Sequence, residues 1–136
     1  MGGNCLETEV PLHKEIYMIV LVTGGRDFND LAATFDAIAT LHTTIEIECI
    51  VHGDAKGADT LADQVAEKIG IDRIAFPANW TKHGKAAGPI RNRHMLDRIG
   101  VDLVLAFPGG NGTADMIKQA QHRGIEVVQA IDILNA

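Results

Sequence analysis

At 136 residues the chain has room for one domain around one sizeable core. It is 46% hydrophobic but only 4% aromatic, so the core must be filled by Ala, Val, Ile and Leu, as in helix-covered sheets. A net charge of -6 argues against a general nucleic-acid binder, which needs a broad basic surface, but leaves room for a small anion in a local basic pocket. No apolar stretch approaches ~18 residues, so no membrane span is expected. The N-terminus lacks a basic region followed by a long apolar run, so no secretory signal is expected and a reducing cytoplasm is the expected compartment.

Residues 1–15 mix glycine, acids and a Pro-Leu-His-Lys segment and read as an arm outside the core, leaving 16–136 as the domain. A first strand is expected from Ile16 to Val22, ending at Thr23-Gly24-Gly25-Arg26-Asp27. Asn29 or Asp30 then caps a helix running to about Leu41. A second strand, Ile45 to Val51, ends at His52-Gly53-Asp54-Ala55-Lys56-Gly57. Ala58, Leu61, Ala62, Val65, Ala66 and Ile69 recur at helical spacing behind it, and Gly70 closes that helix. Ile71 to Phe76 reads as a short third strand stopped by Pro77. Asn79 to Gly88 is polar, and Pro89 suits the first turn of a third helix ending near Gly100. Val101 to Phe107 is a buried strand, Thr113 to Arg123 a helix closed by Gly124, and Ile125 to Val128 a last strand.

Strands alternating with helices of about a dozen residues give right-handed βαβ units and a mostly parallel sheet of about five strands. The expected fold is a single Rossmann-like three-layer α/β domain with helices on both faces. In such sheets ligands sit at the carboxyl ends of the strands where strand order reverses. For the order 3-2-1-4-5 the reversal falls between strands one and four. Their exits, Thr23-Gly24-Gly25-Arg26 and Pro108-Gly109-Gly110-Asn111-Gly112-Thr113, are the two most glycine-rich loops of the domain.

The second of these loops orders a strand, a glycine turn and a helix start, which together make an anion site. Glycine admits a ligand close to the backbone, and the first helical N–H groups have no internal partner. Each Gly-Gly pair alone also reads as a plain tight turn. Neither loop is a P-loop or a Gly-x-Gly-x-x-Gly fingerprint. Five of the twelve Lys and Arg residues (Lys82, Lys85, Arg91, Arg93 and Arg98) fall in one segment with a single acid, Asp97. The bland reading is a solvated basic face. The sharper one uses Arg91, whose planar fork suits a phosphate. Asn92 falls on the apolar face with Met95, Leu96 and Ile99, so its amide either ties down a loop or contacts ligand. Arg26 offers a further cation. Asp59, near a helix start, reads equally as a ligand contact and as a plain favourable charge at the helix N-terminus. Trp80 reads first as a cover for the core, with base stacking as the alternative. Cys49 reads as a small core residue, and Cys5 and Cys49 suggest neither a disulfide scaffold nor a zinc site. His13, His42, His52, His83, His94 and His122 show no metal-binding spacing, so no metal and no cofactor are expected.

Val22-Thr-Gly-Gly-Arg-Asp27, His52-Gly-Asp-Ala-Lys-Gly-Ala-Asp59, Gly88-Pro-Ile-Arg-Asn-Arg-His-Met95 and Pro108-Gly-Gly-Asn-Gly-Thr-Ala-Asp-Met116 together resemble the SLOG superfamily, and within it the YspA-like branch found in bacteria and phages. The resemblance spans about residues 17–130. It implies a Rossmann-like fold that binds nucleotides or nucleotide-derived ligands. It also implies a homodimer or higher homo-oligomer, because superfamily relatives often dimerise. Among the relatives, Lonely Guy phosphoribohydrolases cleave the N-glycosidic bond of nucleoside 5'-monophosphates. Their signature is Pro-Gly-Gly-x-Gly-Thr-x-x-Glu with an upstream Arg and Met. Gly109, Gly110, Gly112 and Thr113 match the phosphate loop, and Arg91 and Met95 the upstream pair. Met116 stands where the glutamate belongs, with Asp115 one position earlier.

The resulting expectation is a ligand-binding sensor or sequestering protein rather than a membrane or nucleic-acid binder. Gly109, Gly110, Asn111, Gly112 and Thr113 hold phosphate, and Arg91 and Arg26 supply charge. Gly24, Gly25 and Gly53 admit the ligand, and Asp59 or Asn92 contacts ribose or base. The alternative is a phosphoribohydrolase in which Arg91 is retained and Asp54, Asp59 or Asp115 replaces the missing glutamate. Nucleic-acid association through Lys82 to Arg98 is the third reading.

Overall fold

A computed structural model describes residues 17–136. Five strands, β1 (Tyr17–Thr23), β2 (Glu46–His52), β3 (Asp72–Ala75), β4 (Leu103–Ala106) and β5 (Glu126–Gln129), form one sheet in the order β3-β2-β1-β4-β5. All four pairings are parallel. The helices are α1 (Leu31–Thr44), α2 (Ala58–Ile69), α3 (Trp80–His83), α4 (Ala87–Arg98), α5 (Asn111–His122) and α6 (Ala130–Leu134). This is the expected Rossmann-like α/β domain, with the expected strand order. The arm at 1–15 and the start of the first strand at Ile16 lie outside the described residues.

The strand sequences separate the two faces by simple alternation. Val20 and Val22 of β1 and Leu103 and Leu105 of β4 pack with α1, α2 and α6 through Ala37, Ile38, Ala62, Val65 and Ala130. Leu21 and Val104 face the other way, onto Met95 and Leu96 of α4 and Met116 and Ala120 of α5. Cys49 is buried in this second layer, as a small apolar residue.

Local chemistry sets the helix ends. The Asp30 carboxylate accepts the Ala33 N–H at 2.9 Å and caps α1, which runs three residues beyond Leu41. Gly70 closes α2 in the left-handed conformation. β3 is an edge strand, shorter than expected and exposed throughout, and Ile71 and Phe76 fall outside its ladder. Asp72 and Arg73 on it discourage pairing with another chain.

Two helical pieces were not foreseen. Asn79, in the stretch expected to be a polar loop, caps α3 by accepting the Lys82 N–H at 3.0 Å. α4 accordingly starts at Ala87, ahead of Pro89. At the C-terminus α6 follows β5 directly and packs on α1.

Phe107, 1% exposed, fills the space just beyond β4 and meets the Phe28 ring at a centroid separation of 5.2 Å. Phe107→Ala is expected to destabilise the domain by about 3–5 kcal/mol. That is a large part of a typical domain stability of about 5–15 kcal/mol. Urea unfolding checks it: the midpoint falls while the slope stays constant.

Candidate functional site

The exits of β1, β2 and β4 meet the N-terminal halves of α4 and α5 around a crevice of about 1110 Å3. That lies just above the usual size of small-molecule sites, roughly 300–1,000 Å3. Every residue placed in the site from the sequence lines it: Gly24, Gly25, Arg26, Gly53, Asp59, Arg91, Asn92, Gly109, Gly110, Asn111, Gly112, Thr113 and Asp115.

The glycines divide into two groups. The Gly25 N–H donates to the Pro108 carbonyl at 2.8 Å, and the Gly25 carbonyl accepts from Ala58 at 3.1 Å. A Cβ on Gly24 would stand 2.5 Å from the Ala58 Cβ, and one on Gly25 3.0 Å from the Gly109 Cα. A Cβ on Gly109 would strike the Thr113 hydroxyl, and one on Gly57, whose φ is +83°, the Gly25 carbonyl. Gly24, Gly25 and Gly109 therefore let loops touch each other. Gly110 and Gly112 are different, with open space where a Cβ would stand.

That open space lies at the start of α5. Gly110 occupies the cap position, and no side chain caps the helix. The first intrahelical backbone bond is from Ala114 to the Gly110 carbonyl at 3.0 Å. The preceding N–H groups are directed at the helix mouth, where the helix dipole favours an anion. The Thr113 hydroxyl in this first turn is buried and has no hydrogen-bond partner among the described residues. A buried polar group without a partner is unusual and points to a missing acceptor or donor.

Arg91 projects from α4 beneath the β2 exit. Its Nη1 donates to the Gly53 carbonyl at 2.6 Å and its Nε to the Asn92 Oδ1 at 2.9 Å. A Cβ on Gly53 would stand 2.5 Å from the guanidinium carbon, so glycine there makes room for Arg91. Burial pushes the Arg91 pKa down, against the pull of Asp59 and Asp115.

Asn92 is 4% exposed and settles its two readings: its Nδ2 donates to the Gly112 carbonyl at 3.3 Å and to Asp115 Oδ2 at 2.9 Å. Both N–H donors go to the α5 start, so the amide ties that loop down. Asp115 also accepts from Gln119 at 2.8 Å. Asp59, buried, takes the Gly53 and Ala55 N–H groups on Oδ2 at 3.0 and 3.2 Å and so shapes the β2 exit. Burial raises its pKa, against those hydrogen bonds and the nearby His52 and Arg91.

Trp80 overturns the expected core role: it is 53% exposed in the crevice wall. Lys85 also lines the crevice, while Arg93 and Arg98 of the same basic segment do not. Lys85 and the Pro108 carbonyl were not singled out from the sequence. Lys85 had only its basic neighbours to mark it, and a backbone acceptor has no residue signature. Among the described residues, no group of three or more His, Cys, Asp or Glu could hold a metal ion, and no helix is long and apolar enough to cross a membrane.

A parallel sheet in this order, with two glycine loops clasped at its reversal point, defines a Rossmann-like α/β domain whose crevice lies at the topological switch. A family model described as the YspA, cpYpsA-related SLOG family matches residues 18–83. The Gene 61 protein of Mycobacterium phage D29 is 40% identical over 117 residues, covering 80% of this chain and 93% of the phage protein. The chain belongs to the YspA, cpYpsA-related SLOG family. In fold it is similar to the X-ray structure of TM1055, a structural-genomics target, with a TM-score of 0.63 and 17% identity over 81% of this chain and 72% of that one. It is also similar to UDP-N-acetylglucosamine 2-epimerase, with a TM-score of 0.56 and 18% identity over 85% of this chain and 33% of the epimerase.

Gly24→Ala is expected to destabilise the fold by about 1–3 kcal/mol through overpacking against Ala58. Gly110→Ala, with free space around it, is expected to leave thermal stability within about 0.5 kcal/mol. Comparing the two melting curves tests the division of the glycines.

Beneath the β2 exit, buried His52 accepts the Asp54 N–H on Nδ1 at 3.0 Å, so Nε2 carries the proton that meets Asp63 at 2.8 Å. Burial works to raise the Asp63 pKa, but the His52 hydrogen bond, with Arg73 beside it, outweighs this and lowers it. A depressed carboxyl adds stability above its unfolded value near 3.8 and loses it as the pH falls through the native value. Asp63→Asn is expected to destabilise the domain by up to ~1 kcal/mol at pH 7, discounted because Asp63 is one-third exposed. The gap between the urea midpoints of the two proteins, measured from pH 7 downward, should begin to narrow only once the pH falls below about 3.8.

Proposed function

We propose that the crevice binds a nucleotide or nucleotide-derived ligand through its phosphate, and that the protein acts as a sensor or sequestering protein. The observation that carries this reading is the uncapped start of α5 under open Gly110 and Gly112, with the unpartnered Thr113 hydroxyl in its first turn. Arg91 supplies the paired cation. Among the described residues two of its five N–H donors are engaged, and its fork is held by the Gly53 carbonyl and Asn92. Arg26, Lys56 and Lys85 add cations around the rim. The separation of Arg93 and Arg98 from this set favours a small ligand over a nucleic-acid strand.

Turnover is the second reading, and one observation keeps it in play. Asp54 reaches the crevice from the β2 exit in a left-handed conformation with φ of 59°, unusual for a residue other than glycine. Its carboxylate would serve a phosphoribohydrolase in place of the glutamate, since Met116 is buried in the core. Self-association is also proposed: Leu31 and Phe35 on α1 and Ile131 and Leu134 on the adjoining α6 are exposed apolar side chains.

The test is incubation of the pure protein with a panel of nucleotides, cyclic nucleotides and dinucleotide signals, followed by mass spectrometry. One compound depleted and recovered intact after denaturation supports binding. Free base with ribose 5-phosphate makes the protein a hydrolase and sinks the sequestering reading. Gly110→Val is expected to abolish binding with the melting curve unchanged. Arg91→Ala is expected to weaken binding by about 1.5–3 kcal/mol, roughly 10- to 150-fold, by calorimetry. Wild-type affinity in both folded variants would place the phosphate elsewhere.

A further inference from the structure

We infer that Trp80 is the platform on which the ligand's aromatic base stacks, so that the ligand lies across the crevice with its base at the α3–α4 junction and its phosphate at the start of α5. This rests on the nucleotide reading of the same crevice and adds to it the orientation of the ligand and the requirement for a base.

Trp80 is the chain's single tryptophan. Large aromatic side chains are normally mostly buried, so one left half-exposed in a concave site is informative. Tyr17, Leu31, Phe35, Ile74, Ile131 and Leu134 are also exposed, but none of them lines the crevice. The indole is held from behind. Asn79 caps the turn that carries it, and the Trp80 carbonyl accepts the Gly84 N–H. Its Cη2 lies 3.7 Å from the point where a Cβ on buried Gly88 would stand. The ring therefore rests against the start of α4 and leaves surface to the crevice. Lys85 stands in the same wall.

The two ends of the crevice differ in chemistry. The α5 end offers backbone N–H groups and an unpartnered hydroxyl, and Arg91, held at the β2 exit, adds a guanidinium, all suited to oxyanions. The Trp80 end offers a π-face, which accepts any flat heterocycle. A ligand matching both ends carries a phosphate and a base. A sugar phosphate alone satisfies only the first.

The single tryptophan makes the contact directly readable. Nucleoside 5'-monophosphates and ribose 5-phosphate are titrated into the intact protein, with binding read by calorimetry and stacking by Trp80 fluorescence. The expected result is quenching that tracks nucleotide binding, and ribose 5-phosphate binding without quenching. Trp80→Ala is expected to weaken nucleotide binding by about 5- to 150-fold and to leave ribose 5-phosphate unchanged, with Trp80→Phe recovering most of the loss. Nucleotide binding that neither quenches Trp80 nor responds to Trp80→Ala would overturn the stacking role and leave the phosphate site standing. Absence of binding by any of these phosphates would remove both readings. Fluorescence that changes with protein concentration alone, and not with nucleotide, would assign the indole to an interface between copies and overturn the proposal.

Discussion

The site depends on one backbone contact: the Gly25 N–H on the Pro108 carbonyl at 2.8 Å. It joins the exits of β1 and β4 at the point where the strand order reverses. The Gly25 carbonyl in turn accepts from Phe28 and from Ala58, the first residue of α2. Three chain segments thus converge on one peptide. Such convergence is possible only where no Cβ intervenes, and Gly24, Gly25, Gly57 and Gly109 supply that absence. The glycine-rich character of these loops is, in large part, a packing requirement of the protein itself. The glycines left over, Gly110 and Gly112, are the ones with nothing above them.

A clasp between loops would be of little use if the helix behind it could move. The polar contacts between α4 and α5 prevent that. Asn92 holds the Gly112 carbonyl and Asp115, while Gln119 holds Asp115 and the Pro89 carbonyl. Farther along, Arg123 pairs with Asp97 at 2.7 Å. The same α4 segment carries Arg91, so the cation and the helix mouth are fixed by one set of bonds. A guanidinium placed this way pays a desolvation penalty before any ligand arrives, visible as its lowered pKa. The Gly53 carbonyl and two neighbouring carboxylates offset it. Preorganisation of this kind lets a ligand's charge meet donors already in place.

Much of this could be read from residues alone. Short apolar runs alternating with helical spacing point to parallel βαβ units, and in the expected order 3-2-1-4-5, which is the order observed, the two Gly-Gly exits fall at the reversal. What could not be read was direction and competition. Sequence marks Gly24 and Gly110 alike, yet one faces Ala58 and the other open space. It marks Asn92 as a buried amide without saying which acceptor takes its protons. Trp80 looked like core because apolar aromatics usually are. Asn79 instead caps a four-residue turn on which the ring stands half-exposed. α6 escaped notice because Ile131, Ile133 and Leu134 give too little length for a period to show.

The balance between holding a ligand and cleaving it turns on the acids. Cleavage of an N-glycosidic bond asks for a carboxylate near the sugar, free to hold or move a proton. Asp59 has a raised pKa, which suits an acid, but it is buried and its Oδ2 is engaged by two backbone N–H groups. Releasing it would dismantle the β2 exit. Asp115 is engaged by Asn92 and Gln119, and releasing it would loosen the start of α5. Both acids therefore act where the architecture needs them. Asp54 is exposed, yet its orientation depends on a backbone bond to His52, itself tied to Asp63. The acids best buffered from water are structural, and the one most open to the crevice stands on its most unusual backbone. That distribution suits a rigid pocket more readily than a proton-transfer site, and so supports the proposed retention of a ligand over its turnover.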